Sequence, residues 1–137
     1  MDNIEHPTAP RKMPTYMNIT IWIIILGAIG AVMLMKRLNQ ASPSTARDWL
    51  NKGALVIDVR SEAEYRGQHL PGTINIPLDR LEDEIARHAP KKEQPILLHC
   101  QSGMRSGSGT STLKKLGYGN VLNLGSYGRA KEMLGSR

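Results

Sequence analysis

The stretch Pro95-Ile96-Leu97-Leu98-His99-Cys100-Gln101-Ser102-Gly103-Met104-Arg105-Ser106 joins an apolar run to a turn of small and polar residues. Ile96–His99 reads as a strand buried on both faces, the pattern of a parallel sheet. Beyond the turn, a segment rich in Gly, Ser and Thr reads as the start of a helix over Gly107–Leu116. A strand feeding a helix through a tight turn is the step from which α/β folds are built. Active sites in such sheets lie at the carboxyl ends of the strands, and Cys100, the only cysteine among 137 residues, falls at that point. Turn N–H groups and the dipole of the following helix favour an anion there. For a cysteine that anion is the thiolate, the nucleophilic form. The competing reading makes Cys100 one more small buried hydrophobe.

The flanking sequence supports the same architecture. Ser44 can cap a helix over Thr45–Lys52, with Gly53 as its stop. Ala54–Val59 is an apolar strand. A turn through Pro71-Gly72 leads to a short strand, Thr73–Ile76. Asp79 is placed to cap a helix running to about His88, with Leu81, Ile85 and Ala89 on one face and Glu82, Asp83, Glu84 and Arg87 toward water. A strand over Asn120–Leu124 and a helix near Arg129–Leu134 complete the unit. The alternation implies a parallel sheet with helices on both faces.

Loop length narrows the chemistry. Four residues separate Cys100 from Arg105. Cysteine phosphatases use a frame one residue longer, whose wider ring of N–H groups suits a tetrahedral phosphate. The shorter ring suits one extra sulfur atom on the cysteine, a persulfide. The segment Cys100–Ser106 resembles the active-site loop of single-domain rhodaneses, which are sulfurtransferases. Val56-Ile57-Asp58-Val59-Arg60 is similar to that family's strand ending in Asp-Val-Arg. Glu64-Tyr65 with His69-Leu70-Pro71-Gly72-Thr73-Ile74-Asn75-Ile76-Pro77, and Leu116-Gly117-Tyr118-Gly119-Asn120-Val121 further on, resemble its other motifs, in order, over about residues 42–137. Gln68 departs from the usual Gly before the His. The end, Asn123–Ala130, lacks the Gly-Gly…Trp of many rhodaneses and looks more like the short phage-shock subgroup.

The resemblance implies a rhodanese-like fold and covalent sulfur transfer through Cys100. It implies that backbone N–H groups of Gln101, Ser102, Gly103, Met104, Arg105 and Ser106 hold the substrate sulfur, with the Arg105 charge favouring thiolate and persulfide. Asp58, Arg60 and His69 are structural support in this reading. Its reactants are a small sulfur-containing anion such as thiosulfate and a thiol or cyanide acceptor. No metal or organic cofactor is called for. His99 adjoins Cys100, but neighbouring strand residues point to opposite faces, which argues against a general base there. A docking module or persulfide carrier serving a protein partner is the alternative reading, and a cysteine phosphatase is a more distant one.

Composition sets the limits. The chain carries a formal net charge of +6, yet residues 41–137 hold 14 Lys/Arg against 10 Asp/Glu, with no basic run interleaved with aromatics. Nucleic-acid binding is disfavoured. One cysteine excludes an intramolecular disulfide, and no Cys/His spacing suggests zinc. Residues 1–16 are polar, with Pro at 7, 10 and 14, and read as a disordered tail. Residues 17–35 carry no charge, and Trp22 sits near one end. They read as a single transmembrane helix rather than a signal peptide, since Lys36-Arg37 follow at once and no small-x-small cleavage site is visible. A linker at 36–43 then leads into a domain at 44–137. Arg11 and Lys12 precede the apolar stretch, whereas Lys36, Arg37, Arg47 and Lys52 follow it. That balance places the domain on the cytoplasmic side, with a periplasmic domain as the alternative.

Overall fold

The computed structural model describes the backbone of residues 15–38 and 40–135, and the side chains of 19–35 and 40–135. The expected tail lies outside them but for its last two positions. The chain divides into two compact units, Met1–Met35 and Lys36–Arg137.

The first unit is built on helix α1, Thr15–Leu38. Its apolar side chains, among them Ile19, Trp22, Ile23, Ile24, Leu26 and Met33, are exposed. The described side chains, 19–35, cover about 26 Å at ~1.5 Å per residue. Among the described residues no helix is long and apolar enough to cross a membrane. The transmembrane expectation for 17–35 is therefore not met by the described residues alone.

The second unit runs α2 (Pro43–Asn51), β1 (Leu55–Asp58), α3 (Glu62–Gly67), β2 (Ile74–Asn75), a 3-10 turn (Leu78–Arg80), α4 (Leu81–His88), β3 (Ile96–Cys100), α5 (Met104–Lys115), β4 (Val121–Ser126) and α6 (Tyr127–Gly135). The four strands form one parallel sheet in the order β2-β1-β3-β4. Ile57, Leu98 and Cys100 turn to one face and pack with Leu81, Ile85 and Leu113 from α4 and α5. Val56, Leu97 and Leu124 turn to the other face and pack with Ala46 and Leu50 of α2 and Ala130 and Met133 of α6. The expected parallel sheet flanked by helices is the observed fold. Both faces are covered, so β1 and β3 must be apolar throughout rather than alternating.

Local differences have local causes. Helix α2 is capped by Ser42, not Ser44, because Pro43 occupies its first position, where the missing N–H costs nothing. The Ser42 hydroxyl accepts from Thr45 N–H at 3.1 Å. Asp79 caps no helix; the 3-10 turn runs straight into α4 without a side-chain cap. Helix α5 begins at Met104, three residues earlier than expected. Gly103, at φ +90°, closes the turn and lets the helix start at once. The small residues of α5 serve close packing: a Cβ on Gly109 would lie 3.0 Å from Leu81 Cδ2 and 3.4 Å from Leu78 Cδ1. Helix α3 has no counterpart in the sequence reading. Strand β4 runs two residues beyond its expected end, and the register between β3 and β4 shifts at Leu98/His99.

Candidate active site

Strand alternation and the early start of α5 together build the site. Because Leu97 and His99 face α2 and α6, Cys100 faces α5. Gly103 then turns the chain so that Met104, Arg105 and Ser106 form the first turn of α5, where backbone N–H groups have no partner within the helix. One of those donors points at the sulfur. Cys100 Sγ accepts from Gly103 N–H at 3.1 Å, Ser106 N–H at 3.4 Å and the Ser106 hydroxyl at 3.5 Å.

Two opposing effects act on the thiol. Burial raises its pKa, because Cys100 is 0% exposed. The Ser106 hydroxyl and the N–H groups of Ser106, Gly103 and Ser102 outweigh that, and the net shift is downward. The site therefore favours thiolate by backbone geometry. With no exposed surface at rest, the sulfur is reached only when surrounding loop atoms move. The side chains of Gln101, Ser102 and Met104 are exposed, Met104 at 63%, so these residues contribute backbone to the loop and leave their side chains at its rim. The Gln101 carbonyl accepts from Tyr127 N–H, and Ser102 bridges to Ser126, tying the loop to the start of α6.

Arg105 stands differently from the expectation. Its guanidinium grips Glu64 with both nitrogens, at 2.7 and 2.9 Å. Glu64 also accepts from Ser61 N–H and its hydroxyl, each at 3.0 Å, in a capping box that starts α3. Arg105, followed by Ser61, holds the Glu64 carboxyl down at about 2. The charge of Arg105 is thus compensated by a carboxylate, and loop donors rather than a free cation set the thiol. Arg105 still lies within interaction range of Cys100.

The three supporting residues sit behind or beside the loop. Asp58 and Arg60 form a buried pair, with Arg60 Nε at 3.0 and 2.9 Å from the two carboxylate oxygens and the terminal nitrogen at 2.7 Å. Arg60 also donates to the Gln68 carbonyl at 2.7 Å and lies 4.6 Å above the Tyr127 ring. His69 stacks on Tyr65 at 4.4 Å. His99 is fully buried, opposite Asp58 in register, and its Nε2 is 3.9 Å from Asp58 Oδ2. Neither of its ring nitrogens has a hydrogen-bond partner among the described residues. It faces away from Cys100 and is no base for it.

The sequence reading missed Asn123. Its Oδ1 accepts from the Ser106 hydroxyl at 2.7 Å and from Gly125 N–H at 2.8 Å, while Nδ2 donates to the Gly103 carbonyl at 3.2 Å. One buried amide therefore fixes both residues that donate to the sulfur. Its signal was a residue with poor strand propensity inside a buried strand. Glu64 could have been found from the Ser61-x-x-Glu64 spacing. Among the described residues no group of three or more His, Cys, Asp and Glu side chains could hold a metal ion.

Comparison with known proteins agrees with this geometry. Residues 42–128 match the rhodanese-like domain family. The thiosulfate sulfurtransferase PspE of Escherichia coli K12 is 38% identical over 69 residues, covering 50% of this chain and 66% of PspE, just under two thirds of its length. Among solved structures, the human single-domain sulfurtransferase TSTD1 is 30% identical with a TM-score of 0.58, covering 69% of this chain and 96% of that one. A rhodanese from E. coli, solved with anions, is 34% identical with a TM-score of 0.54, covering 56% of this chain and 89% of its own. With sheet order, cysteine loop and sequence in agreement, the chain belongs to the rhodanese-like domain family, and its loop is that of a rhodanese-type sulfurtransferase.

Proposed function

We propose that the chain moves sulfane sulfur from a small anionic donor such as thiosulfate to a thiophilic acceptor, cyanide or a thiol, through a persulfide on Cys100. The observation that carries this is the three-donor nest on Sγ within a loop of four residues between Cys100 and Arg105. Cys100 thiolate attacks the outer sulfur of thiosulfate; a new S–S bond forms and the old one breaks. Sulfite leaves with the bonding electron pair, and the persulfide keeps one negative charge. Loop N–H groups stabilise that charge as oxyanion holes stabilise oxygen. The acceptor then attacks the outer sulfur and returns the thiolate.

The N-terminal stretch supports a membrane anchor in this proposal. Residues 17–35 carry no charge, and their described apolar side chains are exposed. The charge balance across the stretch favours a cytoplasmic domain. Alkaline phosphatase and green fluorescent protein, each fused to the C-terminus, distinguish the sides. A dark fluorescent fusion with strong phosphatase activity would place the domain outside.

Thiosulfate:cyanide turnover, measured beside aryl-phosphate hydrolysis, tests the chemistry. Sulfur transfer is expected and phosphatase activity is not. Cys100→Ser should abolish turnover and leave the fold intact. Protein isolated without reductant should carry one added sulfur atom (~32 Da) on Cys100. Turnover that survives Cys100→Ser defeats the mechanism.

A further inference from the structure

Gln40 lies two residues beyond the end of α1 and before the segment that matches the family. Its side chain rests on the back of the cysteine loop. A Cβ on Gly125 would lie 3.0 Å from both Cδ and Nε2 of Gln40. A Cβ on Gly103 would lie 3.2 Å from Gly125 Cα and 3.3 Å from Gln40 Nε2. Gln40, Gly125 and Gly103 are thus stacked with no room for a side chain between them. Both glycines also hold left-handed backbone, φ +95° and +90°, which other residues adopt at a cost.

The stack ends on the sulfur, because Gly103 N–H is the shortest donor to Cys100 Sγ, at 3.1 Å. It is anchored at its other end. Arg129 donates to Gln40 Oε1 and to the Ala41 carbonyl. Ala41 N–H donates to the carbonyl of Asn123 at 2.9 Å, the same residue whose amide fixes Ser106 and Gly103. Ala41 is buried at 6% exposure, so this segment is part of the packed domain.

We propose that Gln40 is a positioning residue for the sulfur-transfer site, pressing Gly125 and Gly103 into the turn that aims the Gly103 N–H at Cys100. The segment after α1 is then part of the catalytic scaffold rather than a passive tether. Without the side chain, space opens behind the turn and the left-handed glycine can relax away from the sulfur. The donor best aligned with the thiolate weakens, while the sheet and both cores remain in place. The turnover part of this inference rests on the sulfurtransferase reading; the ionisation part does not.

The test uses the full chain with Gln40→Ala and Gln40→Met. Methionine keeps the length that covers the glycines but drops the bond from Arg129. The pH midpoint of iodoacetamide alkylation of Cys100 is read together with kcat/KM for thiosulfate and the melting temperature. Gln40→Ala should move the midpoint upward and lower kcat/KM about tenfold, the scale of loss expected from a slightly misplaced donor. Gln40→Met should stay close to wild type. A purely structural role would lower the melting temperature and leave the midpoint where it was, and that result overturns the proposal. Equal effects of Ala and Met would also overturn the packing argument. If wild type fails to turn over thiosulfate, the sulfurtransferase reading falls, while the midpoint still decides the role of Gln40.

Discussion

The Ser106 hydroxyl lies 2.7 Å from Asn123 Oδ1 and 3.5 Å from Cys100 Sγ, so its single proton has two competing acceptors. Beside a neutral thiol the shorter bond holds it. Once the thiolate forms, the charge draws it toward sulfur, since hydrogen bonds to ionised acceptors are stronger. Asn123 keeps the hydroxyl in place for both states, because its amide is oriented by Gly103 O and Gly125 N–H.

Asn123→Asp removes the donor to the Gly103 carbonyl and sets a carboxylate near the sulfur. Turnover should fall at least about tenfold, and the alkylation midpoint should rise. Asn123→Ala should instead cost about 1–3 kcal/mol of stability, because buried partners of the amide are left unmade. Urea denaturation and alkylation profiles separate the two variants. An Asn123→Asp protein with wild-type turnover would remove Asn123 from the site.

Cys100 should alkylate with a midpoint below the ordinary thiol value of about 8.5. Ser106→Ala should raise that midpoint, because the hydroxyl is the largest of the effects that lower it. The backbone N–H donors remain in that variant, so part of the depression should survive. A wild-type midpoint at or above the ordinary value would contradict the nest.

What the sequence revealed was carried by local order. The run Ile96–Cys100 and its alternation placed the thiol at a strand end and turned His99 away from it. Three relationships were hidden because they join distant segments: Glu64 with Arg105, Asn123 with Ser106, and Gln40 with Gly125. Folding alone brings them together. The start of α5 was hidden for a different reason. Gly, Ser and Thr are weak helix formers, but contact of Gly109 with Leu81 makes small residues the ones that fit. Helix α3 was legible in principle from its capping box and was passed over for lack of an apolar face; none of its residues is buried.

His99 should make the domain lose stability in acid. Burial, the dominant effect, lowers its pKa; Asp58 opposes that and Arg60 adds to it. The unfolded chain takes up the proton near pH ~6.5, whereas the folded chain does so only at lower pH. Stability from this group is therefore complete above ~6.5 and declines below it, by at most about 1.4 kcal/mol per pH unit. His99→Gln should flatten that part of the profile. Urea midpoints at pH 7.5 and at pH 5 in both proteins give the comparison. An identical slope in wild type and variant would show that His99 ionises freely.

The Glu64–Arg105 pair yields a double-mutant cycle whose sign separates a free cation from a compensated one. If Arg105 acted on the thiol by its own charge, Arg105→Ala would raise the alkylation midpoint whatever stood at position 64. In the observed geometry the pair is bidentate and nearly neutral as a unit. Arg105→Ala then acts mainly by leaving Glu64 as an uncompensated anion beside the loop. The midpoint should rise in the single variant and return most of the way in Arg105→Ala/Glu64→Gln. Glu64→Gln alone should lower the midpoint, because the guanidinium is released. The pair should also resist acid. Its carboxyl is held at about 2, so its contribution is complete above the unfolded value near ~4.3 and fades only as pH falls toward the folded one. Alkylation profiles of the four proteins close the cycle. A double variant whose midpoint stays as high as that of Arg105→Ala would assign the whole effect to the arginine charge.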